Sequence, residues 1–97
     1  MSKLNGLKPA SIWSYFEEIC QIPRPSKRED KIIAFLADFA RLNQLPFKKD
    51  SSGNVLISKA ASTGSENKPT LVLQSHLDMV CEKNEGTIHN FDTDPIY

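Results

Sequence analysis

Ninety-seven residues, twelve basic and twelve acidic, leave room for one modest domain and no bulk charge that would steer it to nucleic acid or an acidic surface. No apolar stretch approaches the ~20 residues of a membrane helix, and Met1-Ser2-Lys3-Leu4-Asn5-Gly6 lacks the hydrophobic centre of a signal peptide, so the chain reads as cytoplasmic. Cys20 and Cys81 lie far apart without CxxC spacing, which argues against a disulfide framework or a thiolate zinc site and for two free thiols, Cys20 on a core-facing helix position.

From Pro9 to Cys20, the residues Ile12, Trp13, Phe16, Ile19 and Cys20 fall at i, i+1, i+4, i+7 and i+8, one stripe of an amphipathic helix. Pro9 suits the first turn, while Pro23 and Pro25 forbid continuation and make Gln21 to Pro25 a stiff connector. Ser26 followed by Glu29 is a capping-box pattern. It predicts a second helix through Leu42, with Ile32, Ile33, Leu36, Phe39 and Ala40 on its buried side and Asn43 as its stop. Two short strands are expected at Pro46 to Lys49 and Asn54 to Lys59, joined by the turn Asp50-Ser51-Ser52-Gly53. Ala60 to Pro69 is a polar loop.

Thr70 to Val80 is the most informative stretch. Leu71 to Ser75 reads as a third strand whose Leu-Val-Leu centre is buried on both faces. In an extended run His76 and Asp78 point to the same side at its carboxyl end. There an imidazole can bind a metal through one nitrogen while its other nitrogen donates to a carboxylate, which fixes the tautomer. The plainer alternative is a satisfied histidine at a strand end followed by an aspartate that begins a turn. Past Val80 the chain turns polar, with a turn at Glu82-Lys83-Asn84-Glu85-Gly86 and an ending expected to be unstructured. His89 reads as a surface residue, and Glu17-Glu18 as a solvated helix face. Two helices, a hairpin and one buried strand are the opening of an α/β domain, and further elements are expected beyond Tyr97.

In order, the blocks Ile19-Cys20-Gln21-Ile22-Pro23-Arg24-Pro25-Ser26, Asp50-Ser51-Ser52-Gly53-Asn54-Val55-Leu56-Ile57 and Leu73-Gln74-Ser75-His76-Leu77-Asp78-Met79-Val80, with Lys83-Asn84, Phe91 and Asp94-Pro95-Ile96, resemble the amino-terminal segment of the di-zinc aminoacyl-histidine (Xaa-His) dipeptidases. The resemblance implies that residues 1–97 form the amino-terminal part of a zinc-peptidase-like three-layer α/β/α catalytic domain, without its lid and dimerisation domain. It makes His76 a ligand of one zinc and Asp78 the catalytic-site carboxylate that orients the imidazole. Metal-activated water would attack dipeptides, notably those with carboxy-terminal histidine. The family's other ligands and its general-base glutamate have no counterpart here, so the 97 residues alone are expected to be inactive and to bind zinc weakly. Unpaired strand edges predict a homo-oligomer, with no nucleic-acid or membrane partner. The alternative reading is a stand-alone non-catalytic α/β binding or assembly domain derived from that family.

Overall fold

The computed structural model describes residues 3–96, which carry two helices and a two-stranded sheet in the order α1 (Ala10–Cys20), α2 (Asp30–Leu42), β1 (Phe47–Lys49) and β2 (Val55–Ile57). This is the expected α/β class. The chain divides into two compact units: one takes the residues up to Ile32 and from Asp78 onward, the other Ile33–Leu77.

In the first unit α1 starts after Pro9, whose φ of -70° and ψ of 135° make it an extended N-cap, one position earlier than the first helical turn. Proline has no N–H to lose there, and Trp13 N donates to Pro9 O at 3.4 Å. At the other end the freed carbonyls are taken up locally. Gln21 N reaches Glu17 O and Glu18 O, both at 3.2 Å, and Arg24 Nη1 donates to Ile19 O at 2.6 Å. Ile96 N closes on Cys20 O at 2.9 Å. The apolar stripe of α1 forms as a stripe but is only partly covered: Ile12 is 61% and Phe16 49% exposed, while Trp13, Ile19 and Cys20 are half-buried and Trp13 packs edge-on to Phe16 at 6.0 Å. Periodicity tells which face seeks a partner, not how fully one is supplied.

The residues after Val80, expected to be unstructured, are irregular but anchored. Asn90 and Asp94 clasp each other, with Asp94 N donating to Asn90 O and Asn90 N to Asp94 Oδ2, each at 2.8 Å. Arg28 Nε pairs with Asp92 Oδ1 at 2.8 Å and Lys31 Nζ donates to Asp92 O at 3.0 Å. Both groups of the ion pair are about 60% exposed, so it steers the tail more than it stabilises the fold. His89 is half-buried and meets Phe91 edge-on at 5.0 Å, so it is less exposed than a surface residue.

The second helix carries the deepest residues, Ile32 at 1% exposure in the first unit and Ala40 at 0% in the second. Ile33, Leu36 and Phe39 are half-buried, as the periodicity predicts. Asp30 sits in the first turn and Arg41 in the last, each favourable to the helix dipole. The helix ends in a Schellman motif: Leu45 N bonds to Ala40 O at 2.8 Å and Gln44 N to Arg41 O at 3.2 Å. The left-handed residue is Gln44, with φ 56°, one place past the expected Asn43. Asn43 instead turns its Nδ2 back to Phe39 O at 2.8 Å.

In the second unit the hairpin forms as expected but shorter, pairing Phe47 with Ile57, Lys48 with Leu56 and Lys49 with Val55, antiparallel. Phe47, Val55 and Ile57 are half-buried, while Lys48 and Leu56 on the other face are exposed. Asp50 organises the turn. Its Oδ1 accepts from Ser52 N at 2.9 Å and Asn54 N at 2.8 Å, and its Oδ2 from Asn54 Nδ2 at 2.8 Å. The Asn54 side chain, then its backbone N–H, hold the Asp50 carboxyl below its ordinary value of 3.8. Gly53, at φ 89°, supplies the left-handed step.

The expectation that fails is the third strand. Leu71, Val72 and Leu73 are 81%, 75% and 87% exposed, and residues 71–75 join no ladder among the described residues. A strand interior to a sheet is defined by neighbours on both sides, and the hairpin pairs only with itself.

Candidate functional site

A short main-chain bridge lies beneath the candidate residues. Pro25 and Met79 form an isolated parallel pair, with Met79 N donating to Arg24 O at 2.9 Å and Ser26 N to Met79 O at 3.1 Å. The proline-rich connector favours this pairing because Pro23 and Pro25 hold it extended. Pro25 is buried and Arg24 is tied to the end of α1 by its guanidinium. Two segments more than fifty residues apart in sequence are thereby registered to one another within the first unit.

That register delivers Ser26 to Asp78. Ser26 Oγ donates to Asp78 Oδ2 at 2.5 Å, in a half-buried setting. Met79 O lies 3.3 Å from the same hydroxyl. One hydroxyl carries one proton, and the shorter contact to a carboxylate is the stronger. A charge-assisted bond of this kind contributes about 1.5–3 kcal/mol. Ser26 was expected to cap α2. It does not: Glu29 Oε1 accepts from Lys27 N at 2.6 Å, Lys27 takes a left-handed φ of 70°, and the helix begins at Asp30. The Ser-x-x-Glu pattern is present, but its serine is spent on a distant carboxylate.

His76 is exposed and belongs to the second unit, whereas Asp78 belongs to the first. The strand that was to align them on one face is not formed, so their common orientation rests on the sequence pattern alone. Among the described residues no group of three or more His, Cys, Asp or Glu side chains is gathered where a metal ion could be held. A zinc centre takes three or four protein ligands. Imidazole and carboxylate are donors of the right type for zinc, manganese or cobalt, but their number does not make a self-contained centre. Cys20 is half-buried and Cys81 exposed, both free thiols as expected. No helix among the described residues is long and apolar enough to cross a membrane.

No family model matches the chain. Individual proteins do, and they define a class: both are dipeptidases. The chain is 43% identical over 96 residues to the cytosol non-specific dipeptidase of Escherichia coli (strain K12), a match that covers 99% of this chain and 20% of that protein. The crystal structure of the aminoacylhistidine dipeptidase from Vibrio alginolyticus superimposes with a TM-score of 0.90 at 44% identity, covering 97% of this chain and 19% of that one. The chain is a homologue of these dipeptidases, and it spans about a fifth of their length.

Proposed function

We propose that these 97 residues form the amino-terminal segment of the catalytic domain of a cytoplasmic, metal-dependent dipeptidase and supply one corner of its active site. The observation that carries this is the 43% identity to a dipeptidase over 96 residues, 99% of the chain. His76 would be a ligand of one of two zinc ions, and Asp78 would hold the imidazole in the tautomer that binds metal. Zinc in such a centre lowers the pKa of bound water and polarises the scissile carbonyl. The remaining ligands and the general base lie outside these residues, so the chain alone does not turn over substrate. Dipeptides are the substrate class, with Xaa-His among them. The exposed run Leu71 to Leu73 makes the isolated chain self-associate rather than remain a monomer.

The reading is tested by calorimetric titration of zinc into the chain, with His76→Ala as control and Xaa-His hydrolysis assayed on the same sample. Weak binding without turnover is expected. Tight, His76-dependent binding with turnover would overturn the shared-site reading, because copies of the chain would then be completing the site for one another.

A further inference from the structure

Among the described residues no other run of three large apolar side chains is as exposed as Leu71, Val72 and Leu73, at 81%, 75% and 87%. The run lies within the second unit. We infer that it is a docking strand: it enters, by main-chain pairing on both of its edges, a sheet carried by the remaining four fifths of a dipeptidase of this family, and it does so even when that remainder is a separate polypeptide. The inference rests on the dipeptidase reading above and names the partner of one surface.

In an extended run Leu71 and Leu73 share one face and Val72 takes the other, so both faces are apolar, which is the pattern of a strand covered on both sides. Among the described residues, 71–75 join no ladder and enter no main-chain hydrogen bond. Water satisfies those groups while the run is exposed, but burying the three side chains takes the water away, so the N–H and C=O groups on both edges then need strand partners. A second copy of the chain supplies them poorly. Its hairpin strands are three residues each, and β1 carries Lys48 and Lys49, charges of the kind that blunt a sheet edge. Two runs paired with each other leave one edge of each open, and a two-stranded sheet is marginal in water. The remainder of the enzyme is the better occupant on two counts. The chain spans about a fifth of the dipeptidases it matches, which leaves four fifths of a polypeptide to carry strands and covering layers. It also superimposes on the Vibrio alginolyticus enzyme with a TM-score of 0.90, so its shape is already the one found beside that remainder. A partner that docks preformed loses little conformational freedom on binding. Cutting the covalent link then costs chiefly effective concentration.

The test is co-expression of the 97-residue chain, carrying an affinity tag, with the Escherichia coli dipeptidase lacking its matching 96 residues. The expected result is a complex of one copy of each, in which amide hydrogen exchange of 71–75 slows by about 100-fold or more against the chain alone at high dilution. Val72→Pro removes one strand N–H at an exposed position and is expected to lower capture by about 10-fold or more, the worth of one main-chain hydrogen bond. Ala61→Pro, in the exposed polar loop, is expected to leave capture unchanged. Helical ellipticity shows that both variants keep their fold. The Escherichia coli enzyme's own matching stretch, co-expressed with the same remainder, is the reference. Failure of the chain to be captured overturns the inference, whether or not the reference pair assembles. So does capture indifferent to Val72→Pro. Exchange at 71–75 equally slow without the remainder overturns it as well and gives the run to a second copy. Failure of the dipeptidase reading shows separately: a captured complex that hydrolyses no dipeptide, where the reference pair does, upholds the docking strand and sinks that reading.

Discussion

Ile32 is the largest fully buried side chain among the described residues, at 1% exposure, and its truncation measures how much of the fold depends on so small a core. Ile32→Ala deletes three carbons. At about 0.8 kcal/mol per buried methylene the transfer loss is about 2.4 kcal/mol, and the cavity left behind brings the expected cost to about 3–4 kcal/mol, inside the range for such substitutions. A chain of this length has a stability of about 5–15 kcal/mol when its core is well developed. With only Ile32 and Ala40 fully buried among its described hydrophobic residues, this one belongs at or below the lower end. The substitution therefore removes more than half of the total. Ile32→Val deletes a single methyl and is expected to cost about 1 kcal/mol. Ile88→Ala, at a position 98% exposed and outside the Leu71 to Leu73 run, is the control and is expected to fall within about 0.5 kcal/mol of the parent. Urea unfolding followed by helical ellipticity supplies the three values, with the slope held constant so that only the midpoint reports stability. Equal sensitivity at Ile32 and Ile88, or a cost below about 1 kcal/mol for Ile32→Ala, would refute the assignment of the core to α2.

Two further outcomes concern the hairpin. Gly53→Ala is expected to destabilise by about 1–2 kcal/mol, because an added Cβ meets Ile33 Cδ1 at an ordinary 3.5 Å but must adopt φ 89°. The cost is conformational, so Gly53→Asn should lose less in the same unfolding experiment, and equal losses would point to crowding instead. Asp50, held below its ordinary 3.8 chiefly by the Asn54 side chain, has a depressed folded pKa. Its contribution is complete above the unfolded value and is lost as pH falls through the folded one. The amide shifts of Ser52 and Asn54 should move together with a midpoint below 3.8 and stop moving in Asp50→Ala; a midpoint at or above that value would contradict the turn geometry.

Much of the local structure was legible because it is written at short range. The i, i+4, i+7 spacing of Ile12, Phe16 and Ile19 gives α1, the prolines end it, and Asp50 to Gly53 mark the hairpin turn. Helix termination was legible only to within a residue, since Asn and Gln can both enter the left-handed region and the Schellman bonds of Leu45 and Gln44 decide between them. Burial was less legible. The Leu71-Val72-Leu73 run has the composition of a central strand, yet composition supplies no neighbours, and without them the run is exposed. The same limit hid Ser26: a Ser-x-x-Glu spacing satisfies a local rule, and nothing local reveals a partner fifty-two residues away. His76 and Asp78 stood out because an apolar run led into them, whereas the hydroxyl that holds Asp78 had no such flag.

The central claim is that His76 is a metal ligand in a dipeptidase site that other residues complete. It is tested most directly by replacing the matching stretch of the Escherichia coli dipeptidase with this chain, then measuring metal content and dipeptide hydrolysis with and without His76→Ala. The account predicts that the graft hydrolyses dipeptides, and that His76→Ala removes bound metal and lowers hydrolysis by about 10-fold or more. A graft that keeps its full metal content and its full rate after His76→Ala would contradict it.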